Sequence, residues 1–179
     1  MYDSIVLKGK YSKYIKELTT DTPSHPKFFS KYYDAYLFGA LYGVIHNVKR
    51  AYNPSTDAIE GEEATIRSDV LMKSTGKYRY GDIRKIVIMS DRSDNSTFKE
   101  RLDRALRYDY SPDDTDIPEL KEKSYYNRNT ELFDQYALGG IEEIYLKLIE
   151  KQNPEDILDF MKRYIDDYIE DTGVSKPSE

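Results

Sequence analysis

The two histidines are the first residues to weigh for catalysis or metal binding, because the chain contains no cysteine. His25 lies between Ser24 and Pro26 in a predicted loop, and His46 falls at the end of a predicted helix. Neither belongs to an HxxxH or HxxE pair that would bring two metal ligands to one helix face. An imidazolium at His46 would also interact favourably with the helix dipole. We expect no metal, no cofactor and no catalytic residue, and we predict a non-enzymatic protein.

Acidic residues are abundant, and one arrangement imitates a nuclease motif. A proline-aspartate pair at Asp113, followed by the tripeptide 119–121, is similar in order to the PD…ExK string of metal-dependent nucleases. In such enzymes the acids and the lysine lie at the ends of buried strands, where they hold Mg²⁺ and polarise a water. Here Pro118 directly precedes Glu119, and no apolar strand flanks either part. We predict a solvated acidic loop and keep a metal-dependent nuclease as a remote alternative.

Two further segments imitate ion-binding or phosphate-binding loops. The stretch 91–96 begins like a calcium loop, but Ser96 occupies the position of the turn glycine and Leu102 the position of the closing glutamate. A turn that caps the next helix explains it better. The Gly-Lys pair at Lys77 belongs to no phosphate loop, because Leu71 stands at the first glycine and Tyr78 replaces the Ser/Thr that meets magnesium.

Basic and aromatic residues alternate between positions 73 and 85, which makes this segment the best basic patch in the chain. Cations interleaved with tyrosines can bind phosphates and stack on bases. An exposed loop with solvated cations is the structural alternative, and Lys49 and Arg50 would extend the patch if the fold brought them close. The candidate nucleic-acid-binding residues are Lys73, Lys77, Tyr78, Arg79, Tyr80, Arg84 and Lys85.

The first half of the chain contains two predicted helices. One covers 10–18 and ends before the two prolines of the stretch 21–26. Ser30 is the predicted cap of the second. The predicted buried face of that helix carries Tyr33, Leu37, Ala40, Leu41 and Val44. Gly39 and Gly43 lie four residues apart on its path and would permit close approach of a neighbouring backbone.

The middle of the chain gives weaker signals. Residues 55–79 match no clear element, although Ile66 could join Val70 and Leu71 in a short helix. The run 83–89 fits either a strand or a helix, and Asp82 as a cap favours the helix. A clearer helix is predicted over 94–108. Its predicted apolar side carries Phe98, Leu102, Ala105 and Leu106.

The stretch 129–171 predicts two amphipathic helices joined as an antiparallel hairpin. The second begins at Asn153, with a proline and two acids directly after it. The first helix contains Gly139 and Gly140, which each cost roughly 1 kcal/mol relative to alanine. We therefore predict a close helix contact or a kink at this pair, against the Gly39/Gly43 face. The apolar stripe of this helix consists of Leu132, Phe133, Tyr136, Ala137, Ile141, Ile144, Tyr145 and Leu148.

Composition limits the class of protein. A length of 179 residues suits one domain, predicted over 1–171 with a frayed tail at 172–179. The first ten residues lack the apolar stretch of a signal peptide, and no run approaches the ~20 apolar residues of a membrane helix. These features and the absence of cysteine predict a cytoplasmic protein. The 18 tyrosines suit both cores and interfaces.

Charge is divided unevenly along the chain. Residues 1–90 carry 14 Lys/Arg against 10 Asp/Glu, a net of +4, whereas residues 91–179 carry 13 against 23, a net of -10. A general nucleic-acid coating function is therefore unsuited to the whole chain. The acidic second half suits a basic protein partner or open solvent.

Three segments taken together resemble a known family. An aromatic helix with small residues at 32–43 precedes a basic turn at 47–50. An "F-x-x-Y-A-x-G-G" helix at 133–145 and the helix that begins at Asn153 then follow. This order resembles small accessory proteins encoded beside bacterial DNA-phosphorothioation (Dnd-type) modification and restriction genes. The resemblance covers about two-thirds of the chain and implies a role in prokaryotic DNA modification or antiviral defence, without implying an activity.

The combined expectation is a mainly α single-domain bundle of about five to six helices, with a C-terminal antiparallel hairpin and room for one short strand pair. The expected function is an accessory or adaptor subunit of a DNA-modification or anti-phage system. It would bind protein partners through helix-packing and interface positions at Gly39, Gly43, Tyr136, Gly139 and Gly140. A homo-oligomer is also compatible with this view. The alternative is a DNA-binding accessory factor that uses the basic-aromatic segment 73–85.

Overall fold

The computed structural model describes residues 4–67 and 80–150, and these are mainly helical, as predicted. In chain order the elements are β1 (Ile5–Lys8), α1 (Gly9–Thr19), α2 (Tyr32–Ile45), α3 (Pro54–Asp57), β2 (Glu63–Ile66), α4 (Tyr80–Ser90), α5 (Phe98–Leu106), a 3₁₀ turn (Pro112–Asp114), α6 (Pro118–Lys123), α7 (Tyr126–Tyr145) and a π-helical turn (Leu146–Glu150).

The chain divides into two compact units, Met1–Glu142 and Glu143–Glu179. Of the second unit, the structure describes the last residues of α7 and the π-helical turn. The helix predicted from Asn153, the C-terminal hairpin, the domain boundary at 171 and the tail at 172–179 all lie outside the described residues. The architecture below is that of the first unit.

The strand pair joins the start of the chain to a segment about sixty residues later. β1 and β2 run antiparallel, with Ile5 opposite Ile66 and Lys8 opposite Glu63. The short helix predicted to include Ile66 is therefore wrong at that residue. Burial alternates along β2, so the strand periodicity of two applies there. The neighbouring Val70 and Leu71 lie outside the described residues.

Gly9 forms the corner between β1 and α1. Its φ of 56° lies in the left-handed region, and a Cβ there would stand 2.0 Å from the Asp57 carbonyl oxygen. The helix predicted over 10–18 is present as Gly9–Thr19. It buries three large side chains in the core, those of Tyr11, Ile15 and Leu18.

α2 is present, but two details of its prediction are wrong. Its N-cap is Lys31, without a side-chain cap hydrogen bond, and the predicted cap Ser30 lies one residue earlier. Its buried face is also rotated, because Tyr33, Leu41 and Val44 remain partly exposed. The helix is apolar on most sides, so spacing alone could not select the buried one. The buried side consists of Ala35, Tyr36, Leu37, Gly39, Ala40, Tyr42 and Gly43.

The two helices predicted between 82 and 108 are both present, as α4 and α5. Asp82 lies in the first turn of α4. Thr97 caps α5 through a reciprocal capping box with Glu100, and the stretch 91–96 forms the turn before it, as predicted. The predicted apolar side of α5 is only partly buried, and its consequences are described below.

Backbone contact between α2 and α7 explains the glycines. A Cβ on Gly140 would lie 1.9 Å from the Gly39 carbonyl oxygen, and one on Gly43 would lie 2.1 Å from that of Tyr136. A Cβ on Gly139 would lie 2.3 Å from the Val48 carbonyl oxygen. The close contact predicted against the Gly39/Gly43 face is therefore present at Gly140, whereas Gly139 faces the turn after α2. All eight predicted stripe residues of α7 and the following turn are buried.

Candidate functional site

A buried carboxylate, Asp91, follows the last residue of α4. It is 2% exposed and accepts hydrogen bonds from the Tyr136 hydroxyl at 2.7 Å and the Ser93 backbone N–H at 3.1 Å. Arg104 Nη2 lies 3.2 Å from its other oxygen. Burial alone would raise the pKa of Asp91, but the hydrogen bonds from Ser93 and Tyr136 and the charge of Lys49 lower that pKa to about 2. Asp91 is therefore ionised at neutral pH, and it connects the segments that carry Tyr136, Ser93 and Arg104.

Lys49 and Ser93 meet beside this carboxylate, and their pairing has a catalytic precedent. The Lys49 ammonium donates a hydrogen bond to the Ser93 hydroxyl. In Ser–Lys hydrolases a lysine activates the serine, and for that purpose the lysine must be a free amine. Here the Lys49 nitrogen is 3.6 Å from an Asp91 oxygen and 5.0 Å from the Tyr136 ring centre. Lys49 therefore serves as a charged partner of Asp91, which does not suit a general base.

Arg84 corrects the predicted nucleic-acid site. It is 4% exposed and holds Asp109 through two parallel bonds, Nε to Oδ2 at 2.7 Å and Nη2 to Oδ1 at 2.8 Å. Burial opposes its charge, but the hydrogen bond to Asp109 raises its pKa above the ordinary value. Tyr80 is also buried and accepts a bond from Arg84 Nη1 at 3.3 Å. Neither side chain can reach a phosphate or a base.

Of the other candidate residues in the predicted basic segment, one is described by the structure and the remaining four are not. Lys85 is exposed on α4. Lys73, Lys77, Tyr78 and Arg79 lie outside the described residues. The proposed extension by Lys49 and Arg50 is not available as free charge, because each is paired with an acid from the second half of the chain.

Glu142 is a second meeting point of charges. Its two carboxylate oxygens receive Lys10 Nζ at 2.8 Å and Arg50 Nε at 2.9 Å. Lys10 also contacts Asp57 at 3.0 Å. Burial would lower the pKa of Lys10, but hydrogen bonds to Glu142 and Asp57 raise it above its ordinary value. This cluster ties α1, α3 and α7 together and is structural.

The buried Tyr36 and the half-buried Asp134 form a pair of a different kind. The Tyr36 hydroxyl donates a hydrogen bond to the Asp134 carboxylate. Burial raises the pKa of Asp134 above its ordinary value, and the bond from Tyr36 and the charge of Arg84 only partly oppose that rise. Burial likewise raises the pKa of Tyr36. The pair connects α2 to α7 close to the glycine contact.

The acids of the nuclease-like string lie on the surface. Asp113 is exposed in the 3₁₀ turn, and Glu119 and Lys121 are exposed on α6. Within residues 4–67 and 80–150, no three His, Asp or Glu side chains are grouped so that they could hold a metal ion. His25 stacks on Phe28 and His46 contacts the Tyr42 ring. In the same part of the chain, no helix combines the length and apolar character that crossing a membrane requires.

Exposed apolar side chains are frequent on α5, on α6 and its N-cap, and at the residue before α7. Five of the nine exposed large hydrophobic residues of the described chain fall between positions 98 and 125. Hydrogen bonds join the segment after α5 to α6 and to the residue before α7, since the Tyr110 hydroxyl donates to the Leu120 carbonyl at 2.6 Å and the Tyr125 N–H donates to the Tyr108 carbonyl at 2.8 Å. We call this set the α5–α6 surface, and it consists of Phe98, Leu106, Ile117, Leu120 and Tyr125.

α5 is inverted relative to an ordinary surface helix. Phe98 is 62% exposed and Leu106 is 54% exposed, whereas Arg104 is buried. Arg104 faces Asp91, and Arg101 donates to the Met89 carbonyl at 2.9 Å and the Ser96 carbonyl at 2.5 Å. Because these arginines have carboxylate and carbonyl partners on the inside, Phe98 and Leu106 face outward, whereas Ala105 stays buried and Leu102 is half-buried. The prediction that Phe98 and Leu106 face the core is wrong for this reason.

No sequence signal of the ordinary kind would have revealed this inversion. Two arginines three residues apart, preceded by acids at 91 and 94, are compatible with a solvated face as well as with a buried one. Comparisons of the chain with protein-family models, with curated proteins and with solved structures find no match.

Proposed function

We propose that this protein is a non-enzymatic, cytoplasmic adaptor that acts by binding other proteins through the α5–α6 surface. The proposed setting is a prokaryotic DNA-modification or anti-phage defence system, and it is supported by the resemblance of the segments 32–50 and 133–145. The binding role is supported by the structure of α5 and α6.

The observation that carries the proposal is the outward-facing phenylalanine on an inverted helix. Isolated exposed leucines are ordinary, but clustered exposed apolar side chains mark interaction sites. Covering such surface contributes about 25 cal/mol per Å² of apolar area removed from water. The arginines beneath α5 keep this side outward, so the chain itself cannot bury it without separating the buried Arg104 from Asp91.

The polar groups support binding over catalysis. Arg84, Asp91 and Glu142 are each occupied by structural ion pairs. A catalytic group needs a partner that leaves its reactive atom accessible to a substrate. The best lysine–serine pair in the described residues is Lys49 with Ser93, and Lys49 in this pair also forms an ion pair with Asp91.

Co-purification from the native host tests the proposal. We expect the tagged wild-type protein to retain products of neighbouring genes. Two double variants, Phe98→Asp/Leu106→Asp and Ile117→Asp/Leu120→Asp, each place charge on the α5–α6 surface, and at least one should abolish retention. Ile59→Asp is the matched control, because Ile59 is 41% exposed outside this surface.

Circular dichroism should show that all three variants remain folded. The proposal is contradicted if the wild-type protein retains no neighbouring gene product, or if both double variants bind as well as the control. Salt-sensitive retention of DNA that weakens in Lys77→Ala/Arg79→Ala would instead favour the DNA-binding alternative. Mg²⁺-dependent DNA cleavage that is lost in Glu119→Gln would favour a nuclease.

A further inference from the structure

We propose that α5 binds α5 of a second copy of this chain, antiparallel across a two-fold axis. This inference rests on the proposed function of the α5–α6 surface, and it assigns the α5 part of that surface to self-association. The α6 part would stay available for a different protein. A two-fold contact needs one self-complementary patch, and α5 carries both an apolar stripe and a charge pattern of that kind.

The apolar stripe is regular. Phe98, Leu102 and Leu106 recur every four residues, so they lie along one side of the helix. Phe98 and Leu106 are exposed, and Leu102 between them is half-buried. Centring an antiparallel pair on Leu102 places Phe98 against Leu106 of the partner subunit at both ends. A large side chain thereby meets a smaller one twice, and the two leucines at the centre meet each other.

The charges beside the stripe select the partner and its direction. Lys99 and Asp103 are one turn apart and lie on the same flank of the stripe. In an antiparallel pair related by a two-fold axis, the same flanks of the two helices face each other. Lys99 therefore comes next to Asp103 of the partner subunit, and the pair occurs twice. In a parallel two-fold pair this flank would instead face the opposite flank of the partner helix, which carries Arg101, so the Lys99–Asp103 pairs would not form.

Both charges are available for this contact. Lys99 is exposed and takes part in no ion pair among the described residues. Asp103 contacts Arg107 of its own helix at 3.2 Å, and Arg107 is itself 70% exposed. Such a surface pair is weak and leaves Asp103 able to accept a second cation.

The expected strength follows from the size of the helix. α5 has nine residues and is about 13.5 Å long at 1.5 Å per residue. One such helix per subunit covers less than the roughly 800 Å² per partner of a standard stable interface. We therefore expect a reversible dimer with a dissociation constant of about 1–100 μM.

Charge reversal tests the pairing directly by sedimentation equilibrium across a concentration series. We expect a monomer–dimer equilibrium for the wild type. Lys99→Glu and Asp103→Lys alone should each weaken the dimer by about tenfold, because two attractions become repulsions. The double variant Lys99→Glu/Asp103→Lys should restore it, because both pairs are rebuilt with reversed sign.

Helix stability does not confound these variants. A glutamate near the N-terminus of α5 and a lysine nearer its C-terminus both complement the helix dipole. Arg107→Ala is the control for loss of the Asp103–Arg107 pair and should leave the dimer unchanged. Leu102→Asp should abolish the dimer, because it places two carboxylates at the two-fold axis.

A wild type that stays monomeric at about 500 μM, well above a micromolar dissociation constant, overturns the inference. A dimer that is insensitive to charge reversal, or that the double variant fails to restore, also overturns it. If the protein is monomeric yet loses its native partner in either double variant of the α5–α6 surface, the inference fails and the proposed function stands. If neither self-association nor partner retention occurs, both fail.

Discussion

A buried aspartate, Asp91, and a half-buried one, Asp134, are accommodated in opposite ways. Asp91 receives hydrogen bonds from Ser93 and Tyr136 and faces Arg104, so its charged form is stabilised. Asp134 is half-buried with a hydrogen bond from Tyr36, and its partial burial raises its pKa. A carboxylate with few donors pays the cost of desolvation at neutral pH. The residue type alone does not reveal which of the two environments applies.

Asp134→Asn should stabilise the protein at pH 7. Asparagine keeps an oxygen that accepts the bond from Tyr36 and removes the desolvated charge, so we expect the free energy of unfolding to rise by about 1 kcal/mol. Asp134→Ala should lower it by about 1–3 kcal/mol, because the Tyr36 hydroxyl is left unpaired. Urea denaturation measures both changes.

The pH dependence of the free energy of unfolding provides a second test of the role of Asp134. A raised pKa in the folded state means that the wild type gains stability as the pH falls through that value towards the unfolded pKa. The advantage of Asp134→Asn should therefore shrink below neutral pH. An asparagine variant that is less stable than the wild type at pH 7 would show that the charge is favourable.

At the scale of elements, the α2–α7 contact depends on backbone against backbone. Gly140 faces the Gly39 carbonyl at a distance that excludes any side chain. Such contact brings two helix axes closer than ordinary side chains permit, which offsets the intrinsic cost of glycine in a helix. The same helix carries five buried stripe residues of the first unit: Leu132, Phe133, Tyr136, Ala137 and Ile141.

Gly140→Ala should destabilise the protein by about 2–3 kcal/mol, even though alanine is the better helix former by about 1 kcal/mol. The new Cβ would stand 1.9 Å from a backbone oxygen, which cannot rotate away. Gly140→Leu should be more severe. Thermal unfolding followed by circular dichroism measures the effect.

Gly81 provides the matched control for this substitution. It lies in α4, and a Cβ there would meet nothing within 4 Å. Gly81→Ala should raise stability by about 0.5–1 kcal/mol. Equal effects of the two substitutions would mean that the contact between α2 and α7 tolerates a methyl group.

At the scale of the whole molecule, the uneven charge of the sequence is partly an internal complementarity. The described residues include ion pairs that join a cation of the first 90 residues to an acid beyond them. These pairs are Lys10–Glu142, Lys49–Asp91, Arg50–Glu142 and Arg84–Asp109. The first half of the chain thus provides some of the basic groups that the acidic second half was expected to seek in a partner.

Acid should weaken this connection through Asp91. Its pKa is lowered from 3.8 to about 2 in the folded protein, so its contribution is fully present above about pH 5 and is lost as the pH falls towards 2. That contribution is about 2 kcal/mol. In a pH series of urea unfolding, the stability gap between the wild type and Asp91→Asn should narrow below pH 4. A constant gap would assign the acid sensitivity to other groups.

Local patterns in the sequence determined the helices. A 3.6-residue periodicity and helix-ending prolines are local features, and they predicted α1, α4 and the buried stripe of α7. The cap predicted for α4, Asp82, instead lies inside its first turn. The glycines of α2 and α7 also predicted their contact, because a residue that is unfavourable in a helix needs a packing reason. These inferences required no knowledge of distant residues.

Only the tertiary structure shows which sides of α2 and α5 are buried and which arginines are paired with acids. Arg84 was a plausible phosphate ligand until the fold brought Asp109 to it, 25 residues further along the chain. Arg104 likewise points inward, where it contacts the buried Asp91. Whether an ion pair is buried depends on the balance between the cost of desolvating both charges and the attraction between them. The two partners can be far apart in the sequence, so no local sequence pattern shows that they will meet. The outward side of α5, and with it the candidate site, follows from that balance.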